Sequence, residues 1–111
     1  MRIRSYLGQH ELVVMLAILR LGREAYGVPI ASEIAEHTGR EVYLGTVYAA
    51  LERLEARGLV SASQGEATPV RGGRAKTYFK LTAAGLRQLR EAHRALQALS
   101  DGLPELKSAA S

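Results

Sequence analysis

No cysteine occurs among the 111 residues, which excludes disulfides, thiolate metal sites and cysteine nucleophiles and leaves nothing that demands an oxidising compartment. The cytoplasm is the default expectation. Long apolar runs are missing too. Leu12 to Leu19 follows the basic start Met1-Arg2-Ile3-Arg4-Ser5 in the manner of a signal peptide, but it is too short to cross a membrane. No small-residue cleavage site succeeds it, only Arg20-Leu21-Gly22-Arg23-Glu24, so the run reads as a core helix. Acidic residues are in deficit, 11 against 15 Lys and Arg, giving a net charge of +4. Twelve of those cations are Arg, which can fork onto phosphate oxygens or a guanine edge, so an anionic partner is favoured. Many basic proteins bind nothing charged, and placement has to decide. The length suits one domain with one core, and 47% apolar with 23% charged residues suits a folded globular chain.

Gln9 to Leu21 contains no Gly or Pro and is apolar almost all round, with Gly22 as a stop. One small core cannot cover every side of such a helix, so part of it is expected to meet a second subunit. Pro29 suits the first turn of a second helix, where Ile30 and Ile34 share a face and Gly39 closes it. The connection Arg40 to Leu44 leads to a third helix, Thr46 to Arg57, with Val47, Leu51 and Leu54 on one side and Gly58 as its end. Two short helices joined by a short turn behind a buried helix make a helix-turn-helix arrangement. Leu59 to Ser63 and Thr77 to Leu81 read as strands, and a hairpin in that place makes the unit a winged helix. Thr82 caps a last helix carrying Leu86, Leu89, His93 and Leu96 in a stripe like that of a paired-helix seam, extended by Leu99 and Leu103.

The segment from Gly65 to Lys80 carries Arg71, Arg74, Lys76 and Lys80 against Glu66 alone, so most of the excess charge sits on the wing. Gly72 and Gly73 at its tip let backbone amides approach phosphates while the flanking Arg side chains supply charge. A solvated loop is the competing explanation. Opposite its apolar side, the third helix offers Thr46, Tyr48, Ala49, Glu52 and Arg53. Arg53 suits guanine or a phosphate, Thr46 and Ala49 suit a thymine methyl, and Tyr48 suits a phosphate. Alternatively Arg53 pairs with Glu52 or Glu55, and Tyr48 is partly structural. Gly72 to Thr77 fails as a P-loop, because no Gly precedes the Lys and a strand follows. His10, His37 and His93 are far apart, and Glu33 with His37 is the one close pair of ligand types, so no metal or other cofactor is expected. Ser32, Ser61 and Ser63 have no catalytic companions, which argues against an enzyme.

Several of these segments closely resemble one family. They are Leu7-Gly8 with Glu11, Ala25-Tyr26-Gly27, the stretch from Leu44-Gly45-Thr46-Val47-Tyr48 to Glu55, Arg71-Gly72-Gly73-Arg74-Ala75-Lys76 with Tyr78, and Leu81-Thr82 with Gly85. In order and spacing they are similar to the PadR-like transcriptional regulators, from about Leu7 to Leu99. The resemblance implies a dimeric repressor whose recognition helix enters the major groove while the wing follows the backbone or minor groove. It also implies, as in many members, release of DNA by a small aromatic or drug-like effector. One helix after the wing matches the short form, whose effector pocket forms at the dimer interface. The chain has no Trp for an indole-lined pocket, and Tyr43 stands where the family often has a helix-capping Ser.

The expected fold is therefore mostly α with a small β-hairpin: a winged helix-turn-helix over residues 1–81, a dimerisation helix over 82–104 and a disordered tail over 105–111. The expected DNA-binding set is Thr46, Tyr48, Ala49, Arg53, Arg71, Gly72, Gly73, Arg74 and Lys76. The expected dimer interface is Leu12, Met15, Leu16, Leu86, Leu89, His93 and Leu96. A double-stranded, pseudo-palindromic operator is the expected partner, together with a second copy of the chain and an effector, and no membrane. A winged-helix module that docks a protein is the alternative, less suited to the Arg-flanked glycine tip because such a module favours an exposed apolar patch.

Overall fold

The structure, a computed structural model, describes residues 7–65 and 76–107. Helix α1 (Gln9–Leu21) is followed by a single 3-10 turn, then α2 (Gly27–Thr38) and α3 (Leu44–Ala56). An antiparallel hairpin, β1 (Val60–Gln64) and β2 (Thr77–Leu81), leads to α4 (Ala83–Ser100). The hairpin pairs in register from Val60 opposite Leu81 to Gln64 opposite Thr77. This is the winged helix-turn-helix with a C-terminal helix, mostly helical, that the apolar spacing indicates.

Helical periodicity decides which sides meet. Val14, Met15 and Ile18 of α1, Ile30 and Ile34 of α2, and Val47, Leu51 and Leu54 of α3 are all buried together, with Leu59, Phe79 and Leu89 closing the core. Helix α3 begins two residues earlier than its apolar pattern suggests, at Leu44, because Tyr43 serves as its N-cap in extended conformation. No side chain caps that end. Gly58 ends the helix at φ +74, a left-handed conformation that favours glycine, and sends the chain straight into β1.

Two residues expected at a dimer interface are enclosed within the protomer. Met15 is fully buried in its own protomer, since it shares the inward face of α1 with Val14 and Ile18. Leu89 is also enclosed, because the first two turns of α4 lie against the hairpin and the α3–β1 turn. Thr82 makes that attachment. Its hydroxyl donates to the Gly58 carbonyl at 2.7 Å and accepts from the Gly85 amide at 3.0 Å, while its own amide donates to the Leu59 carbonyl at 3.0 Å.

Beyond Leu89 the helix leaves the body. Leu96 and Leu99 are 59% and 79% exposed, and the radius of gyration is 16.1 Å, against about 13 Å for a compact chain of this length. Pro104–Leu106 form a 3-10 turn where a tail was expected from residue 105, and residues 108–111 lie outside the described ones.

Gly85 sets how closely α4 approaches. A Cβ there would run into the carbonyl oxygen and carbon of Leu59, which are backbone and cannot swing aside. Alanine gains about 1 kcal/mol in helix propensity, but overpacking against fixed backbone costs about 1–3 kcal/mol. Gly85→Ala should therefore lower the urea midpoint with an unchanged m value. A midpoint at or above the parent's would mean that α4 can shift off Leu59 freely.

Candidate nucleic-acid interface

The outward stripe of α3 is built mostly of small residues. Gly45, Thr46, Ala49, Arg53 and Ala56 are exposed, and Thr46, Ala49, Arg53 and Ala56 recur at the three- and four-residue spacing that aligns them on one face. Small side chains let a helix backbone approach a groove, and Arg53 supplies the reach. Tyr48 sits beside that face and is structural as well. Its hydroxyl end covers Gly27 so closely that any side chain there would collide with it. It is still 42% exposed.

The root of the wing is tied to the start of α2. Tyr26 bridges to Tyr78 across the sheet edge, and their rings meet edge to face at 5.4 Å. The Phe79 amide donates to the Ala25 carbonyl at 2.8 Å. Lys76 stands with its Nζ 4.5 Å from the centre of the Tyr26 ring and donates to the Tyr26 hydroxyl at 3.3 Å. That hydroxyl pushes the lysine above its ordinary pKa. The described root of the wing is therefore held against the start of α2. Arg71, Gly72, Gly73 and Arg74 lie outside the described residues.

Arg53 is not engaged by Glu52 or Glu55. Its Nε donates to Oε2 of Glu11 at 3.2 Å, and Arg57 Nη1 lies 3.7 Å from Oε1 of the same carboxylate. The Gly8 amide donates to Oε1 at 2.8 Å, so a buried acid on α1 joins its own N-terminus to the end of α3. Burial acts to raise the Glu11 pKa. The Gly8 hydrogen bond and the two guanidinium groups outweigh it and hold the carboxyl below its ordinary value. Glu11 and Tyr26 were missed as site residues in the sequence, where both are visible only as motif positions, because their partners lie 42 and 50 residues away.

The remaining candidates are dispersed. Glu33 and His37 do not form an open ligand pair, because Arg20 Nε reaches Glu33 at 2.9 Å and its Nη2 lies 2.7 Å from His37 Nε2. Among the described residues no group of three or more potential metal ligands comes together. Of the expected dimer residues, Leu12 and Leu86 are half-buried, while Leu16, His93 and Leu96 are exposed. A groove of about 670 Å³ runs between the end of α1, the hairpin and the start of α4, with Ile18, Leu19, Tyr78, Phe79 and Leu86 on its walls and Arg23 and Lys80 at its rim. Among the described residues no helix is long and apolar enough to cross a membrane.

Residues 15–91 match the Transcriptional regulator PadR-like family. The chain belongs to that family. Transcriptional regulator Rv3488 of Mycobacterium tuberculosis is 39% identical over 77 residues, which cover 69% of this chain and 67% of the relative. A solved PadR family regulator from Eggerthella lenta superposes with a TM-score of 0.67 at 32% identity, over 87% of this chain and 82% of that one. The winged-helix DNA-binding protein F93 from STIV shares the fold alone, at 17% identity and a TM-score of 0.67, over 88% of this chain and 98% of its own. The PadR-like chain is thus a transcription regulator and not an enzyme.

The Glu11 cluster has a consequence for stability in this PadR-like protein. A carboxyl held below its ordinary pKa by the fold stabilises the native state fully at neutral pH, and that contribution is lost as the pH falls through the folded value. Thermal melts between roughly pH 7 and pH 3 should therefore show the parent losing stability more steeply on acidification than Glu11→Gln. Parallel pH profiles for the two proteins would mean that the cluster adds nothing to native stability.

Proposed function

We propose that this PadR-like regulator is a repressor that binds a pseudo-palindromic DNA operator as a homodimer in the cytoplasm. Thr46, Tyr48, Ala49 and Arg53 face the major groove, while Arg71, Gly72, Gly73, Arg74 and Lys76 follow the phosphate backbone. The observation that carries this proposal is the outward face of α3, with small side chains around Arg53, together with Lys76 held at the wing root by Tyr26. An effector site is supported by the groove between α1, the hairpin and α4, whose size suits a small aromatic molecule and whose walls join the wing to the dimer arm.

The two halves of this surface should respond differently. Arg71, Arg74 and Lys76 are expected to touch phosphates, so replacing all three with Ala should weaken operator and random DNA alike. The slope of log affinity against log salt should flatten by about 0.9 for each lost contact, counted in both subunits. Thr46→Gly, which removes the methyl expected against thymine, and Arg53→Ala should instead reduce the preference for the operator, by about 1–3 kcal/mol where a bidentate base contact is lost. A salt titration of both mutant sets on a duplex selected from a random pool, and on a random duplex, measures this. Parental slope in the first set together with parental preference in the second would refute the assigned surface.

The dimer is attributed to the outer half of α4, with Leu96 and Leu99 continuing the stripe of Leu86, and to Leu12 and Leu16 of α1. Two such protomers present two recognition helices to one side of a duplex, with half-sites about one helical turn, roughly 10 bp, apart or a small multiple of it. Leu96→Glu combined with Leu99→Glu adds charge where the protomer itself has no packing to lose. Sedimentation should report a folded monomer. A double variant that keeps the mass of a dimer would place the interface elsewhere.

A further inference from the structure

Glu11 lies in no expected contact surface, yet it is the one buried acid among the described residues, and its partners are two arginines, Arg53 on α3 and Arg57 just past its end. Its carboxylate is doubly fixed. The stem belongs to α1, whose next turn packs Val14 and Met15 into the core, and Oε1 accepts from the Gly8 amide at 2.8 Å. Only Oε2 is turned to Arg53, and it takes Nε at 3.2 Å.

Which nitrogen is taken matters. A guanidinium held through Nε keeps its two terminal nitrogens directed away from the holder, in the fork that matches two acceptor atoms on a phosphate or on guanine. Among the described residues the Nη1 and Nη2 atoms of Arg53 make no hydrogen bond, and the side chain is 53% exposed. An exposed arginine without such a holder samples many rotamers and loses that freedom on binding. With the arginine half-exposed, its ion pair with Glu11 contributes little to stability by itself.

We propose that Glu11 is a positioning residue for DNA recognition: it orients Arg53 through Nε so that the terminal nitrogens are presented, pre-formed, to the duplex. This rests on the assignment of Arg53 to the DNA surface. Glu11 touches no DNA itself, and its negative charge alone would repel a phosphate backbone. Simple removal of charge and loss of positioning therefore act in opposite directions on affinity, which makes the two separable.

The test is a double-mutant cycle on DNA affinity, using the duplex selected from a random pool by the parent protein and a random duplex of equal length. Glu11→Gln retains one acceptor, enough for Gly8 or for Arg53 but not both, and every variant is compared below its own melting range. Glu11→Gln should weaken binding to the selected duplex by about fivefold or more in the parent. It should have no weakening effect in the Arg53→Ala background. Arg53→Lys, which keeps the charge but cannot offer the same fork, should bind as weakly as Arg53→Ala and serves as the check if Glu11→Gln melts too low. Tighter binding by Glu11→Gln in the parent background would overturn the proposal, as would equal weakening in both backgrounds. Parental affinity in Arg53→Ala would instead remove Arg53 from the DNA surface, and the proposal with it. The wing variants would still report whether DNA is bound at all.

Discussion

Burial of one side of α3 governs the rest of this molecule. Val47, Ala50, Leu51 and Leu54 are sealed against α1 and α2, and fully burying a side chain the size of valine or leucine contributes about 1.5–3 kcal/mol. A helix has only one rotation that buries such a stripe, so the opposite stripe of Thr46, Ala49, Arg53 and Ala56 has no choice but to face outward. The hydrophobic core thus aims the proposed recognition surface without containing any of it. Gly27 and Tyr48 refine that placement, because the absent side chain lets the ring lie directly on the start of α2.

Charge and core are joined at the junctions between elements. Glu11 belongs to α1, which buries as many core residues as α3, yet it meets Arg53 of α3 and Arg57 just past its end. Tyr26, Tyr78 and Lys76 do the same for the wing and α2. Neither group is worth much as an isolated surface contact. On the proposed reading their value lies in fixing direction, because groups held before binding lose less entropy when a duplex arrives.

The last helix works by a different division. Its first turns are locked down by Thr82 and by the glycine at position 85, and its second half carries leucines with nothing over them. The same apolar stripe therefore serves the protomer's core at Leu89 and leaves Leu96 and Leu99 for another surface. Periodicity cannot separate the two uses, since Leu86, Leu89 and Leu96 read alike. Only the point where the helix leaves the hairpin divides them.

Much was legible in the sequence because it is local. Apolar spacing, the stops at Gly22, Gly39 and Gly58 and the Thr82 cap depend on residues within a turn or two of one another, and so did the four helices and the hairpin. The outward face of α3 followed from the same spacing. Other features depend on residues distant in the chain. Arg53 had nearby acids at 52 and 55 as natural partners, and it bonds instead to an acid 42 residues away. Met15 looked as free for a partner subunit as Leu16 until packing enclosed one and exposed the other. Sequence alone determined which stripes are apolar and where each helix stops, because those are properties of short-range geometry. Tertiary structure decided which stripe faces which neighbour and which charge meets which, because those distances exist only once the core has closed.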